Sequence, residues 1–226
     1  MNIRHHLNDA LLMSYAAGNL PEGFGLVVAT HVTLCDECRS RLETFEALGG
    51  AVVEAESVAE VSEDALARVM ARLDRGAAVS PAPPHAPTPA PTPAPVSRPK
   101  SILPAPVAAY VGGDLDRVKW KSLGMGVRQA ILPTSRRATA RLLYIPAGQS
   151  VPDHGHRGTE LTLVLRGAFR DATDRFGPGD VEIAGEDLQH APVAEAGEDC
   201  ICLAATDAPL RFSGLVPRLL QPLFRI

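Results

Sequence analysis

The chain has 226 residues, 22 Lys and Arg against 26 Asp and Glu, a formal net charge of -4 and 46% hydrophobic residues. That length holds two modest domains or one large one with a buried core, and the charge gives no overall basic footprint for DNA or RNA. No apolar run approaches the roughly 20 residues needed to cross a bilayer, and the opening MNIRHHLNDALLMSYAAGNL lacks the basic flank, apolar core and cleavage site of a secretory signal. A cytoplasmic chain without a membrane segment is therefore expected, and there a Cys-x-x-Cys pair reads as a metal or redox site before it reads as a disulfide.

Residues 1–76 carry helical apolar spacing. Leu7, Leu11 and Leu12 share one face, Leu26, Val27 and His31 a second, and Leu34, Cys38 and Leu42 a third. Ser62 is placed to cap a last helix carrying Leu66, Val69, Met70 and Leu73 and ended by Gly76. About four helices are predicted. The last is amphipathic, so its stripe serves equally well to pack on its own domain or to meet a partner. Glu43, Glu46, Glu54, Glu56, Glu60, Glu63 and Asp64 make this region acidic, either as a solvated face or as a complement to a basic partner.

Within HVTLCDECR, His31, Cys35 and Cys38 stand at i, i+4 and i+7, and on one helix they would project from a single face. Structural zinc takes four N or S donors in a tetrahedron, with cysteine bound as thiolate. His6, or its neighbour His5, is available as the fourth donor, which would tie the first helix to the next two. A thioredoxin-like redox pair wants a βαβ setting, whereas these surroundings are helical. A DNA-binding zinc finger would need a ββα unit with paired histidines after the cysteines, and nothing after Cys38 fits one.

Residues 77–100 are mostly Pro and Ala, a composition that favours extended polyproline and cannot pack a core, so they read as a linker with His85 solvated within it. Beyond it, RVKWKSL, VRQAILP, ARLLYIPAG, ELTLVLRG, DVEIAGED and DCICLAA alternate with turn residues, which predicts an antiparallel sandwich or barrel over 101–226. Inside that half, His154 and His156 lie two apart on an extended segment, Glu160 follows a Gly-containing turn, and His190 follows the turn FGPGD and the strand VEIA. Three imidazoles and a carboxylate at a barrel mouth suit a divalent ion such as zinc, manganese, iron or nickel. Cys200 and Cys202, two apart on a strand, are poorly placed to form a disulfide with each other; they read as small buried residues or as a secondary oxidant target.

Two resemblances follow from these residues. The run Gly148, His154-x-His156, Glu160, Gly167 resembles the first cupin motif at every spacing. PGD at 178–180 with His190 resembles the second, with Ala184 and Ala194 where cupins usually carry Pro and Asn. The pattern His31-x-x-x-Cys35-x-x-Cys38 with upstream His6 and LLMSYAAGNL resembles a zinc-binding anti-sigma domain, and with the barrel half the whole chain is similar to ChrR-type anti-sigma factors. The resemblance implies a multi-domain α plus β protein with a small helical zinc-binding domain over 1–76, a linker over 77–100 and a cupin β-barrel over 101–226. It further implies zinc at His6, His31, Cys35 and Cys38 and a second divalent ion, zinc by preference, at His154, His156, Glu160 and His190. The implied partner is an extracytoplasmic-function sigma factor held one to one, with no direct contact to nucleic acid or membrane, and released on singlet oxygen or related stress sensed with the cupin half. That is a regulator and not an enzyme. The competing readings are a cupin oxygenase or isomerase with an accessory zinc module, and a zinc-dependent scaffold for another partner.

Overall fold

The computed structural model describes residues 2–76 and 101–214; the Pro-Ala stretch with His85 and the last twelve residues lie outside the described residues. The chain divides into two compact units, Met1–Gly50 with Lys100–Ile226, and Ala51–Pro99. Residues 1–50 are thus grouped with the β-domain, and Ala51–Pro99 form the other unit.

Four helices precede residue 77: α1 (Asp9–Ala16), α2 (Glu22–Leu34), α3 (Asp36–Ala55) and α4 (Ala65–Gly76). Helix α1 starts where the Asn8 side chain accepts the Leu11 amide at 2.9 Å, satisfying one of the amides left free at a helix start. The expected single helix through His31, Cys35 and Cys38 is corrected: α2 ends at Leu34, and Cys35 adopts an extended conformation (φ -116°, ψ 107°). Its amide donates to the His31 carbonyl at 2.9 Å and its carbonyl accepts the Arg39 amide at 3.1 Å, so one residue closes α2 and opens α3. His6 likewise lies in the segment before α1 that belongs to neither helix nor strand, not on the first helix.

In the second unit α4 begins at Ala65, whose amide donates to the Ser62 carbonyl; the Ser62 hydroxyl accepts from Arg68 instead of capping an amide. Its apolar side chains stand in water, with Leu66 at 73% and Leu73 at 62% exposure and Val69 and Met70 half exposed.

The second half opens with α5 (Ala105–Val111). Its strands are β1 (Lys121–Gly124), β2 (Val127–Ile131), β3 (Thr139–Ile145), β4 (His154–Gly155), β5 (Glu160–Arg166), β6 (Phe169–Arg170), β7 (Arg175–Phe176), β8 (Val181–Ala184), β9 (Gln189–His190), β10 (Val193–Ala194), β11 (Cys200–Thr206) and β12 (Arg211–Phe212). Six form an antiparallel sheet in the order β1-β2-β3-β11-β5-β8, and these six are the runs read as strands from the sequence. Two three-stranded ladders, β10-β6-β7 and β12-β4-β9, complete the β-domain, and among the described residues no ladder closes the main sheet into a continuous barrel.

Strand alternation sends Leu161, Leu163, Leu203 and Ala205 to the outer face of the main sheet, where they join Leu12, Phe24, Val27 and Leu42 in one buried cluster. Their neighbours Glu160, Thr162, Cys202 and Ala204 face the interior cavity. Helix α2 approaches closely because Gly23 carries no side chain: a Cβ there would lie 3.0 Å from the Ala138 carbonyl oxygen. Glu22 secures the same end, accepting the Tyr110 hydroxyl and the Ser135 amide, each at 2.6 Å.

Candidate metal centres

At the α2–α3 corner, one donor atom from each of His6, His31, Cys35 and Cys38 lies within 4.8 Å of the others. His6 Nδ1 is 3.3 Å from Cys35 Sγ and 3.7 Å from Cys38 Sγ, while His6 Nε2 is 3.4 Å from Glu37. His5 turns away, its Nε2 3.0 Å from Asp174 and its ring 4.4 Å from that of Phe176, so the fourth donor beside the thiols is His6. His31 is fully buried; its Nδ1–H donates to the Gly179 carbonyl at 2.9 Å, and its Nε2 has no hydrogen-bond partner.

That orphaned nitrogen is the test of fit. Burial pushes the His31 imidazole down to about 4, so the ring is neutral near pH 7 and its Nε2 carries a lone pair. Burial likewise pushes the Cys38 thiol up to about 11, a cost that a bound cation offsets by stabilising the thiolate. Two sulfurs and two imidazole nitrogens match tetrahedral zinc, with the outer nitrogens held by Glu37 and Gly179 as imidazole ligands require.

The second site sits at the polar end of a cavity of about 370 Å³ inside the β-domain, walled by Leu143, Ile145, Val151, Phe169 and Phe212. His154 on β4 pairs in register with His190 on β9, and His156 Nε2 is 3.3 Å from His190 Nε2. The His154 Nδ1–H donates to the Pro152 carbonyl at 2.8 Å, freeing Nε2. Donor atoms of the three histidines lie within 4.8 Å of one another. The expected fourth donor, Glu160, borders this group without belonging to it: one carboxylate oxygen is 3.8 Å from His156 Nδ1 and the other accepts the Thr162 hydroxyl at 2.9 Å. Burial lowers both His154 and His156, which keeps them neutral donors.

Two carboxylates behind His190 were not read from the sequence. Its Nδ1–H donates to Asp171 at 2.8 Å, and Glu182 on β8 lies 3.2 Å from the same nitrogen. Burial raises Glu182 to about 7; burial also opposes ionisation of Asp171, but hydrogen bonds from Glu182, Thr173 and His190 outweigh it and hold that carboxyl well below the usual range. The pair therefore presents one firm negative charge to the ring. A carboxylate behind an imidazole fixes its tautomer and orientation for metal. Cys200 and Cys202 are buried free thiols that share a hydrogen bond between sulfurs 3.5 Å apart, with no disulfide between them.

With this geometry in view, a family model described as the ChrR Cupin-like domain matches residues 109–209. The chain is 59% identical over 226 residues, all of both proteins, to "Anti-sigma-E factor ChrR" of Cereibacter sphaeroides. It also matches the ChrR chain in the crystal structure of Rhodobacter sphaeroides SigE in complex with the anti-sigma ChrR, at 56% identity and TM-score 0.77, over 91% of this chain and 100% of that one. No helix among the described residues is long and apolar enough to cross a membrane. On full-length identity, the chain belongs to the ChrR family of anti-sigma factors.

Proposed function

We propose that this chain is a cytoplasmic anti-sigma factor that holds an extracytoplasmic-function sigma factor one to one and keeps it from core RNA polymerase. The supporting observation is the 59% identity to a ChrR anti-sigma factor across the whole chain, with the Cys2His2 cluster assembled at the α2–α3 corner. Residues 1–76 act as the anti-sigma domain, 77–100 as the linker and 101–226 as the cupin domain. Zinc at His6, His31, Cys35 and Cys38 supplies a tetrahedral tie between the amino-terminal segment, α2 and α3. Leu66, Val69, Met70 and Leu73 of α4 are the apolar stripe offered to sigma, since nothing in the chain's described residues buries them. The cupin histidines, bordered by Glu160, hold a second divalent ion, zinc by preference, and that half is needed for release under singlet oxygen or related oxidative stress.

The test is co-expression of the full chain with an extracytoplasmic-function sigma factor from the same genome. A stable one-to-one complex that blocks sigma from core polymerase is expected. A sigma factor that purifies alone and transcribes normally in the presence of the zinc-loaded chain overturns the proposal.

A further inference from the structure

The two candidate metal centres lie at either end of one short piece of backbone. The Gly177–Asp180 turn leads into β8, and along six residues it touches both. Gly179, held at φ +91°, a left-handed conformation that glycine adopts freely, turns its carbonyl to the His31 Nδ1–H. Asp180, buried, accepts the backbone amides of Arg4 at 2.6 Å and His5 at 2.9 Å, immediately before His6, and closes its own turn by accepting the Gly177 amide at 2.8 Å. The Val181 amide donates to the His5 carbonyl at 3.2 Å. Glu182 then reaches the opposite site, 3.2 Å from His190 Nδ1.

We propose that Gly177–Glu182 positions both centres at once, so that occupancy of the site at His154, His156 and His190 sets how firmly the Cys35–Cys38 site retains its own ion. The inference rests on the reading above that both sites bind metal. With a cation bound, the His190 ring would be polarised, which would strengthen its Nδ1–H hydrogen bond to Asp171 and its electrostatic attraction to the Glu182 oxygen 3.2 Å away. Glu182 is locked in the sheet by pairing with Thr162, and Val181 with Leu163, so a change in its hold on His190 falls on a stiff strand. The first residues beyond the start of that strand are Asp180 and Gly179, which set the path of the His6 segment and the orientation of the His31 ring. Outer partners of metal-binding histidines alter affinity strongly, and two sites joined by a positioning element are coupled in both directions. In this reading Glu182, Asp180 and Gly179 act as positioning residues, although Glu182 also stands with Asp171 and His190 in a group whose donor atoms lie within 4.8 Å of one another.

The test uses the full chain loaded with cobalt(II), whose thiolate charge-transfer band reports on the Cys35–Cys38 site alone. Excess chelator is added and the decay of that band is timed in the native protein, in Glu182→Gln, and in His156→Ala, which empties the cupin site without touching the segment. Metal content is measured in parallel. Decay about fivefold faster in both variants, with native-like circular dichroism, is expected. Should Glu182→Gln fail to fold, His156→Ala decides the matter. Decay unchanged in His156→Ala, in a native protein that holds two ions, overturns the coupling and leaves the metal sites standing. A native protein with fewer than two ions or no thiolate band overturns both.

Discussion

The Nδ1–H of His31, a residue of α2, donates at 2.9 Å to the carbonyl of Gly179, a residue of the β-domain 148 positions further on. An imidazole with a free Nε2 lone pair is thus oriented by backbone from the other half of the chain. Removing the ion is expected to loosen the unit as a whole and not the helices alone, because α2 and the main sheet share one buried cluster. Stripping metal with a strong chelator should lower the thermal midpoint in a single cooperative step, by on the order of 10 °C. Differential scanning calorimetry that resolves a separate early helical transition, with the β-domain midpoint unmoved, contradicts this.

Gly23 tests the seam between α2 and the sheet. Its absent side chain lets the helix lie where a Cβ would sit 3.0 Å from the Ala138 carbonyl oxygen and 3.2 Å from the Ala138 Cβ. Gly23→Leu must push helix or loop aside, and a loss of about 2–3 kcal/mol in urea unfolding is expected, as for other overpacked contacts. Gly50→Leu, at a helical position where a Cβ meets nothing within 4 Å, is the control and should leave the midpoint nearly unchanged.

Asp180 carries the acid sensitivity of the amino-terminal clamp. Burial works against its ionisation, but the amides of Gly177, His5 and Arg4 outweigh burial and hold it below the ordinary carboxylate value. A carboxyl depressed in the folded state adds stability that is complete above the unfolded value near ~4 and is lost as the pH falls through the lower folded one. In metal-free protein, Asp180→Ala should cost roughly 3 kcal/mol at neutral pH, and the gap to the native chain should narrow progressively as the pH falls below about 4. A gap that stays constant from neutral pH into that range would show that the charge is not what matters.

The exposed stripe of α4 gives the sharpest test of sigma binding. Val69→Glu with Met70→Glu places two charges on a surface already in water, so folding should be spared while affinity for sigma drops by about a hundredfold or more. Fluorescence anisotropy with labelled sigma measures the loss, and undiminished binding would move the contact surface elsewhere.

Much of this was legible in the residues. The spacing of His31, Cys35 and Cys38 marked a metal cluster, although the same spacing fits both a continuous helix and the corner that Cys35 makes, so the local path was misread. Six strands stood out by alternation, but β4, β6, β7, β9, β10 and β12 span two residues each, too short to display a period of two. Helix α5 was hidden by its Ala and Pro content beside the linker. Neither Glu182 nor Asp171 stands at a spacing from His190 that marks it in the sequence; only the fold brings them behind that ring. The docking of α2 is also signalled in the sequence: it buries Phe24, Leu26, Val27, Val28, Thr30 and His31, an arc of roughly 200°, wider than the ~100° stripe of a helix packed on one side only.

That enclosure bears on how the gene can be cut. A fragment beginning at residue 101 would present Leu161, Leu163 and Leu203 to water as a bare oily slab, stripped of the lid that α2 provides. Such a piece invites self-association, and its behaviour in a tube would report on stickiness before it reported on sensing.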